Sequence, residues 1–281
     1  MAYSAEISRQ NPSLFLFLVD QSGSMQDAFG TAGSARRKAD GVADAINRLL
    51  QNLVIRCAKS EGVRDYYSIS VFGYGSSVGP ALGGALMGRD VVPISEIANN
   101  PIRIEERTRK EEDGAGGLVE RTVKMPIWFD PVANGGTPMC DAFRRAQETL
   151  SSWIAQHPIC FPPIVINITD GESTDGDPST AADGIKSLTS NDGNALLFNL
   201  HVSAALEGGK VEFPDSERAL PGDQYARLLF NMSSVLPDYM RTIASQEGFT
   251  VTPASRGFVF NGDLTAVVRF IDIGTRAANL R

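Results

Sequence analysis

Three separate stretches of the chain carry side-chain oxygens in a pattern that could hold a hard cation. They are "VDQSGSM" with Asp20, Ser22 and Ser24, "NGGTPMCD" with Thr137, and "NITDGEST" with Asp170. No nitrogen or sulfur donor accompanies them. Two carboxylates nearly neutralise a dication, and three hydroxyls add coordination without charge. That donor set suits Mg²⁺, with Mn²⁺ or Ca²⁺ as alternatives. The alternate spacing of Asp20, Ser22 and Ser24 lets neighbouring side chains turn the same way in an extended loop. Gly23, Gly135 and Gly136 give the backbone freedom to fold around an ion. Read alone, Asp20 is a turn residue and the two serines are loop hydroxyls. It is the company of Thr137 and Asp170 that makes a metal site.

Such residues need a scaffold. Residues 14–19 (LFLFLV) are apolar without alternation, as in a central parallel strand covered on both faces. Residues 34–59 place Ala39, Val42, Ile46, Leu49, Leu50, Leu53 and Cys57 at helical spacing. "DYYSISVFGYG" reads as a second strand and "PPIVINITD" as a third. A helix is expected over 138–154, with Pro138 in its first turn, and a short one over 181–188. "ALLFNLHVSA" and "GFVFN" are further strands. Residues 206–234 read as a long surface loop with a short helix near 225–230. A helix over 237–246 is capped by Gly248, and a terminal helix is capped by Asp263 and runs through 278. Strands alternating with helices imply an α/β fold: a doubly wound, Rossmann-like, mostly parallel sheet with helices on both faces. One domain over 1–281 is expected. Residues 76–131 form a glycine-rich insertion with a β-hairpin, in which "IRIEERTRK" and "LVERTVKMPIWF" flank "EEDGAGG"; its apolar content is too low for a core of its own. In such sheets ligands bind at the carboxyl ends of the strands, where strand order reverses. Asp20 and Asp170 each follow a strand, and Thr137 opens a helix, where it could also serve as the cap.

"DQSGSM", "GGTPM" and "ITDGEST", in that order along an α/β pattern, resemble the von Willebrand factor type A domain and its metal-ion-dependent adhesion site. All five positions of that motif are matched, by Asp20, Ser22, Ser24, Thr137 and Asp170. The resemblance covers the chain except for 76–131. It implies that Ser22 and Ser24 bind the ion directly and that Asp20 and Asp170 often act through water. It implies that Thr137 joins when a ligand is bound, and that a partner protein supplies an Asp or Glu to the remaining position. Stand-alone bacterial domains of this kind resemble adaptors in stress-response, defence or signalling systems, without catalysis of their own.

The alternative is a Mg²⁺-dependent phosphohydrolase or phosphotransferase. Phosphatases of this architecture resemble Asp-x-Asp after the first strand, whereas here Ser22 holds the second position and cannot be a general acid at neutral pH. "GGTPMCD" lacks the lysine and spacing of a P-loop, and Gln21 replaces the glycine that a nucleophile elbow needs.

The 281 residues include 42% hydrophobic and 21% charged, an ordinary globular composition, with a formal net charge of -7. An acidic chain argues against nucleic acid as partner. Arg36, Arg37 and Lys38 read as the solvated face of a helix start. Cys57, Cys140 and Cys160 form neither a disulfide framework nor a zinc motif and read as buried thiols in a reducing compartment. The first residues lack the basic start of a signal peptide, and the apolar run after them is too short to span a membrane. The cytoplasm is the expected location. Asn167 and Asn231 head chance glycosylation triplets. His157 and His201 read as structural, Asp175 and Asp177 as a solvated turn. Met25 and Met139 either pack beneath the site or rim it.

Overall fold

The structure, a computed structural model, describes residues 3–5, 7–28, 36–112, 118–202, 209–222, 224–262 and 269. Five parallel strands form its centre: β1 (Ser13–Asp20), β2 (Tyr67–Tyr74), β7 (Ile164–Thr169), β8 (Leu196–Val202) and β10 (Phe258–Gly262). Short antiparallel strands close the edges. β3 (Val78–Pro80) and β4 (Val92–Pro93) pair with β2, and β9 (Val211–Glu212) pairs with β10. The order across the sheet is β9-β10-β8-β7-β1-β2-β3. The chain leaves β1 through helix α1 (Lys38–Cys57) to β2 on one side, while β7 and the later strands lie on the other. Strand order therefore reverses at β1 and β7, and a crevice opens above their carboxyl ends.

The side chains of β1 divide the core. Phe15, Phe17 and Val19 pack with α1, α2 (Ile94–Asn99) and α6 (Asp238–Gln246). Leu14, Leu16 and Leu18 pack with α3 (Met139–Gln156), α4 (Ser179–Ser187) and α5 (Gln224–Met232). Burial on both faces is what the unbroken apolar run predicts, and the sheet is doubly wound as expected. Gly248, at φ +89°, ends α6 with its N–H on the carbonyl of Ser245. The helix expected over 263–278 lies outside the described residues apart from residue 269.

Segment 76–131 is more integrated than its composition suggests. Leu82, Leu86, Val92, Ile94, Ile97, Trp128 and Phe129 are buried in the same cluster as α1. The expected hairpin is present as β5 (Arg103–Glu112) and β6 (Leu118–Ile127), paired from Arg103↔Ile127 to Glu112↔Leu118. At its root Met125 and Ile127 are buried. Arg107 and Arg36 both pair with Asp44 of α1. Asn47, also on α1 and buried, accepts the N–H groups of Trp128 and Phe129 at 2.8 and 3.1 Å and donates to the carbonyl of Phe129 at 2.8 Å.

Candidate metal centre

β1 ends at Asp20, whose side chain is 1% exposed. One carboxylate oxygen accepts the N–H of Ser22 at 2.8 Å, and the other accepts the hydroxyl of Thr169 at 2.7 Å. Burial pushes its pKa up to about 6, even though both hydrogen bonds pull the other way. After Asp20 the chain makes a short 3-10 turn, Gly23–Gln26. This turn brings the Ser22 and Ser24 hydroxyls to 3.0 Å from one another, and Ser24 donates to Asp170 at 2.8 Å. Asp20, Ser22, Ser24 and Asp170 thus form a continuous cluster across the crevice between β1 and β7.

Thr137 reaches this cluster through backbone rather than a direct side-chain bond. Gly23 donates to the carbonyl of Gly135 at 3.0 Å, and Gly135 adopts φ +91°, a left-handed conformation that a side chain would strain. At Gly75 a Cβ would lie 2.6 Å from the carbonyl of Asn134 and 2.7 Å from that of Gln21, so only glycine admits this approach of the loops.

Thr137 does not cap α3 with its side chain. Asp175 does: its two carboxylate oxygens accept the N–H groups of Cys140 and Asp141 at 3.0 and 2.9 Å. These are free donors of the first helical turn, where a negative charge also meets the favourable end of the helix dipole. Asp177 bonds the N–H of Ser179 at the start of α4. The "STDGDP" stretch is mostly exposed, as the solvated-turn reading expects, and its two carboxylates in addition serve as helix caps; Asp177 caps its own following helix, whereas Asp175 caps one that lies earlier in the chain.

A second correction concerns Lys38. It is not on a solvated face. It is 8% exposed, and its ammonium lies 2.8 Å from Asp170 and 3.3 Å from Asp27. The Asp170 side chain is fully covered. Sequence reasoning missed this residue because three consecutive basic residues look like surface; only the chain's return beside Asp170 distinguishes it from Arg36 and Arg37. Met25 and Met139 are both buried, which decides for packing. His157 stacks on Trp153 and His201 on Phe260. The side chain of Asn167 is buried in a chain of hydrogen bonds from Tyr74 to Asn199, so that triplet is no glycosylation acceptor. Cys57, Cys140 and Cys160 are buried free thiols.

The donor chemistry fits a small hard cation: two carboxylates and hydroxyls within hydrogen-bond distance of one another, at the mouth of the crevice. Among the described residues no group of three His, Cys, Asp or Glu offers a competing metal site. None of the described helices is long and apolar enough to cross a membrane.

The chain is similar to three solved structures. A von Willebrand factor type A protein from Catenulispora acidiphila shares 13% identity at a TM-score of 0.47, over 95% of this chain and 43% of that one. The PilB minor pilin from Streptococcus sanguinis shares 11% at 0.42, over 94% and 61%. The pilus adhesin from Streptococcus pneumoniae shares 14% at 0.32, over 60% and 22%. The chain spans less than two thirds of each of these proteins, and likenesses this remote carry no functional argument. No protein-family model and no curated protein matches the chain.

Proposed function

We propose that this chain is a non-catalytic, metal-dependent protein-binding module whose ion is held by Asp20, Ser22, Ser24, Thr137 and Asp170. The observation that carries the reading is the hydrogen-bonded run Ser22–Ser24–Asp170 above buried Asp20, at the strand-order reversal. Mg²⁺, when bound, supplies a coordination position for an Asp or Glu of the partner. The residues of this chain do the rest. Ser22 and Ser24 present neutral oxygens, which leave the ion electron-poor and receptive to a carboxylate. Asp20 and Asp170 hold the serines in place and balance part of the charge. Thr137, held in the third loop by its backbone bonds to Thr174, would add a further hydroxyl. Because Met25 is buried, specificity falls to the exposed rim: Gln26, Asp27, Ser76, Ser77, Asn134 and Glu172. An adaptor or regulatory role in the cytoplasm fits a reducing setting for the three thiols.

Calorimetry with Mg²⁺ and Mn²⁺ tests the reading. Wild type should bind one ion and Asp20→Ala none; identical titrations would sink it. For the partner step, Thr137→Ala should weaken capture of an acidic partner far more than it weakens the ion. Metal-dependent phosphatase, nuclease or ATPase turnover that disappears in Asp20→Asn would favour the hydrolase alternative instead.

A further inference from the structure

Lys38 introduces a positive charge where the five-oxygen pattern does not call for one. Its ammonium is almost wholly buried and bonds Asp170 at 2.8 Å on the oxygen opposite to the one that Ser24 holds. Its second acidic neighbour, Asp27, is 66% exposed and 3.3 Å away, so Asp170 is the main partner. The ammonium and the Ser24 hydroxyl thus hold different oxygens of the one Asp170 carboxylate.

From this geometry, and resting on the metal reading above, we infer that Lys38 is the internal counter-cation of the centre, lowering its affinity for Mg²⁺ and raising the preference of the loaded centre for a carboxylate. The side chains of Asp20 and Asp170 are both covered, and two such carboxylates repel one another and lose hydration unless a cation accompanies them. Lys38 is that cation when no ion is bound. It lets the crevice fold preformed. The same charge then opposes an incoming dication across the Asp170 carboxylate. With the ion in place, Asp20, Asp170, Lys38 and Mg²⁺ sum to one net positive charge. A carboxylate from a partner cancels it, whereas a neutral or basic group leaves it standing. Specificity for an acidic anchor is then a property of the charge balance as well as of coordination.

Charge and positioning are separated by choosing the substitution. Lys38→Gln keeps a hydrogen-bond donor for Asp170 and removes only the charge, while Lys38→Arg keeps the charge. Asp170 remains tied to Ser24 in both. Calorimetry with Mg²⁺ alone should show Lys38→Gln binding roughly 10- to 100-fold more tightly than wild type, the scale expected for a partly screened unit charge at this range. Lys38→Arg should stay within about threefold of wild type. Thermal unfolding supplies a second readout: ion-free Lys38→Gln should melt below wild type, and Mg²⁺ should raise its melting temperature by more. Unchanged or weaker Mg²⁺ binding by Lys38→Gln overturns the inference and makes Lys38 an orienting residue. If neither wild type nor Lys38→Gln binds Mg²⁺ or Mn²⁺, the metal reading itself falls, and this inference with it.

Discussion

Thr137 and Thr174 hold each other by reciprocal hydrogen bonds: the N–H of Thr137 donates to the Thr174 hydroxyl at 2.9 Å, and the N–H of Thr174 donates to the Thr137 carbonyl at 2.9 Å. The next residue, Asp175, caps α3. The loop after β7 and the loop before α3 are therefore one unit, and that unit carries both Asp170 and Thr137. Thr174→Val keeps the shape and removes the acceptor. It should cost about 1 kcal/mol in chemical denaturation, the usual net contribution of a part-buried hydrogen bond. It should also weaken Mg²⁺ binding although Thr174 is not among the proposed ligands. A loss of stability with Mg²⁺ affinity untouched would show that the two loops are mechanically independent.

The elevated pKa of Asp20 sets a pH window. Its folded value is raised from 3.8 to about 6, so between those values the folded protein binds more protons than the unfolded chain. The contribution of Asp20 to stability is therefore fully present below about pH 4 and is lost as pH rises through about 6, by ~3 kcal/mol in the absence of an ion. A bound dication favours the ionised carboxylate and reverses the preference. Mg²⁺ affinity should climb from pH 5 to 7 and level off above. Asp20→Asn should flatten the stability profile of the ion-free protein in that interval. A wild-type profile already flat there would mean that Asp20 is not the buried acid described.

Removing metal should leave the fold standing. β1 is anchored by Leu14 to Val19 on both faces, and none of that burial depends on the crevice. Lys38 already pairs with Asp170 beneath the loops. Far-ultraviolet circular dichroism should be unchanged on adding EDTA, and Ser22→Ala should cost about 1 kcal/mol or less. Collapse of the signal would make the ion structural.

The elements legible in the sequence are those whose burial is regular. The run LFLFLV, the helical spacing of Val42, Ile46, Leu49 and Leu53, and the helix from Met139 each report a local pattern that tertiary packing leaves intact. The edge strands were not legible. β3 and β9 are two or three residues long and half-buried, and only their pairing with β2 and β10 defines them. α2 is a single six-residue helix behind a proline, too short for a period to show. At the candidate site, residue types and order picked out Asp20, Ser22, Ser24, Thr137 and Asp170. Lys38, Thr174 and Asp175 escaped because their roles lie in contacts between loops far apart in sequence. Asp175 bridges 35 residues to Cys140, and Lys38 bridges 132 to Asp170.

Asn47 offers the sharpest test of how segment 76–131 is joined to the site. Its amide makes three direct hydrogen bonds to the backbone of Trp128 and Phe129 inside the core. Two residues further on begins the stretch 131–136, which leads through Gly135 to Thr137. Asn47 thus fixes the start of a loop whose end carries a proposed ligand. Asn47→Ala removes all three partners and leaves two N–H groups and a carbonyl buried and unpaired. The expected cost is about 3 kcal/mol or more in chemical denaturation, because each orphaned group forfeits its hydration. Asn47→Leu fills the volume but not the bonds, and should be nearly as damaging. Limited proteolysis should show faster cleavage between 100 and 136 in both variants, while α3 to β10 keep native protection. Mg²⁺ binding should weaken in parallel, since the Gly23 to Gly135 contact depends on where that loop starts. Full stability in Asn47→Ala would mean that Trp128 and Phe129 are held by apolar packing alone, and that the segment can move without disturbing Thr137.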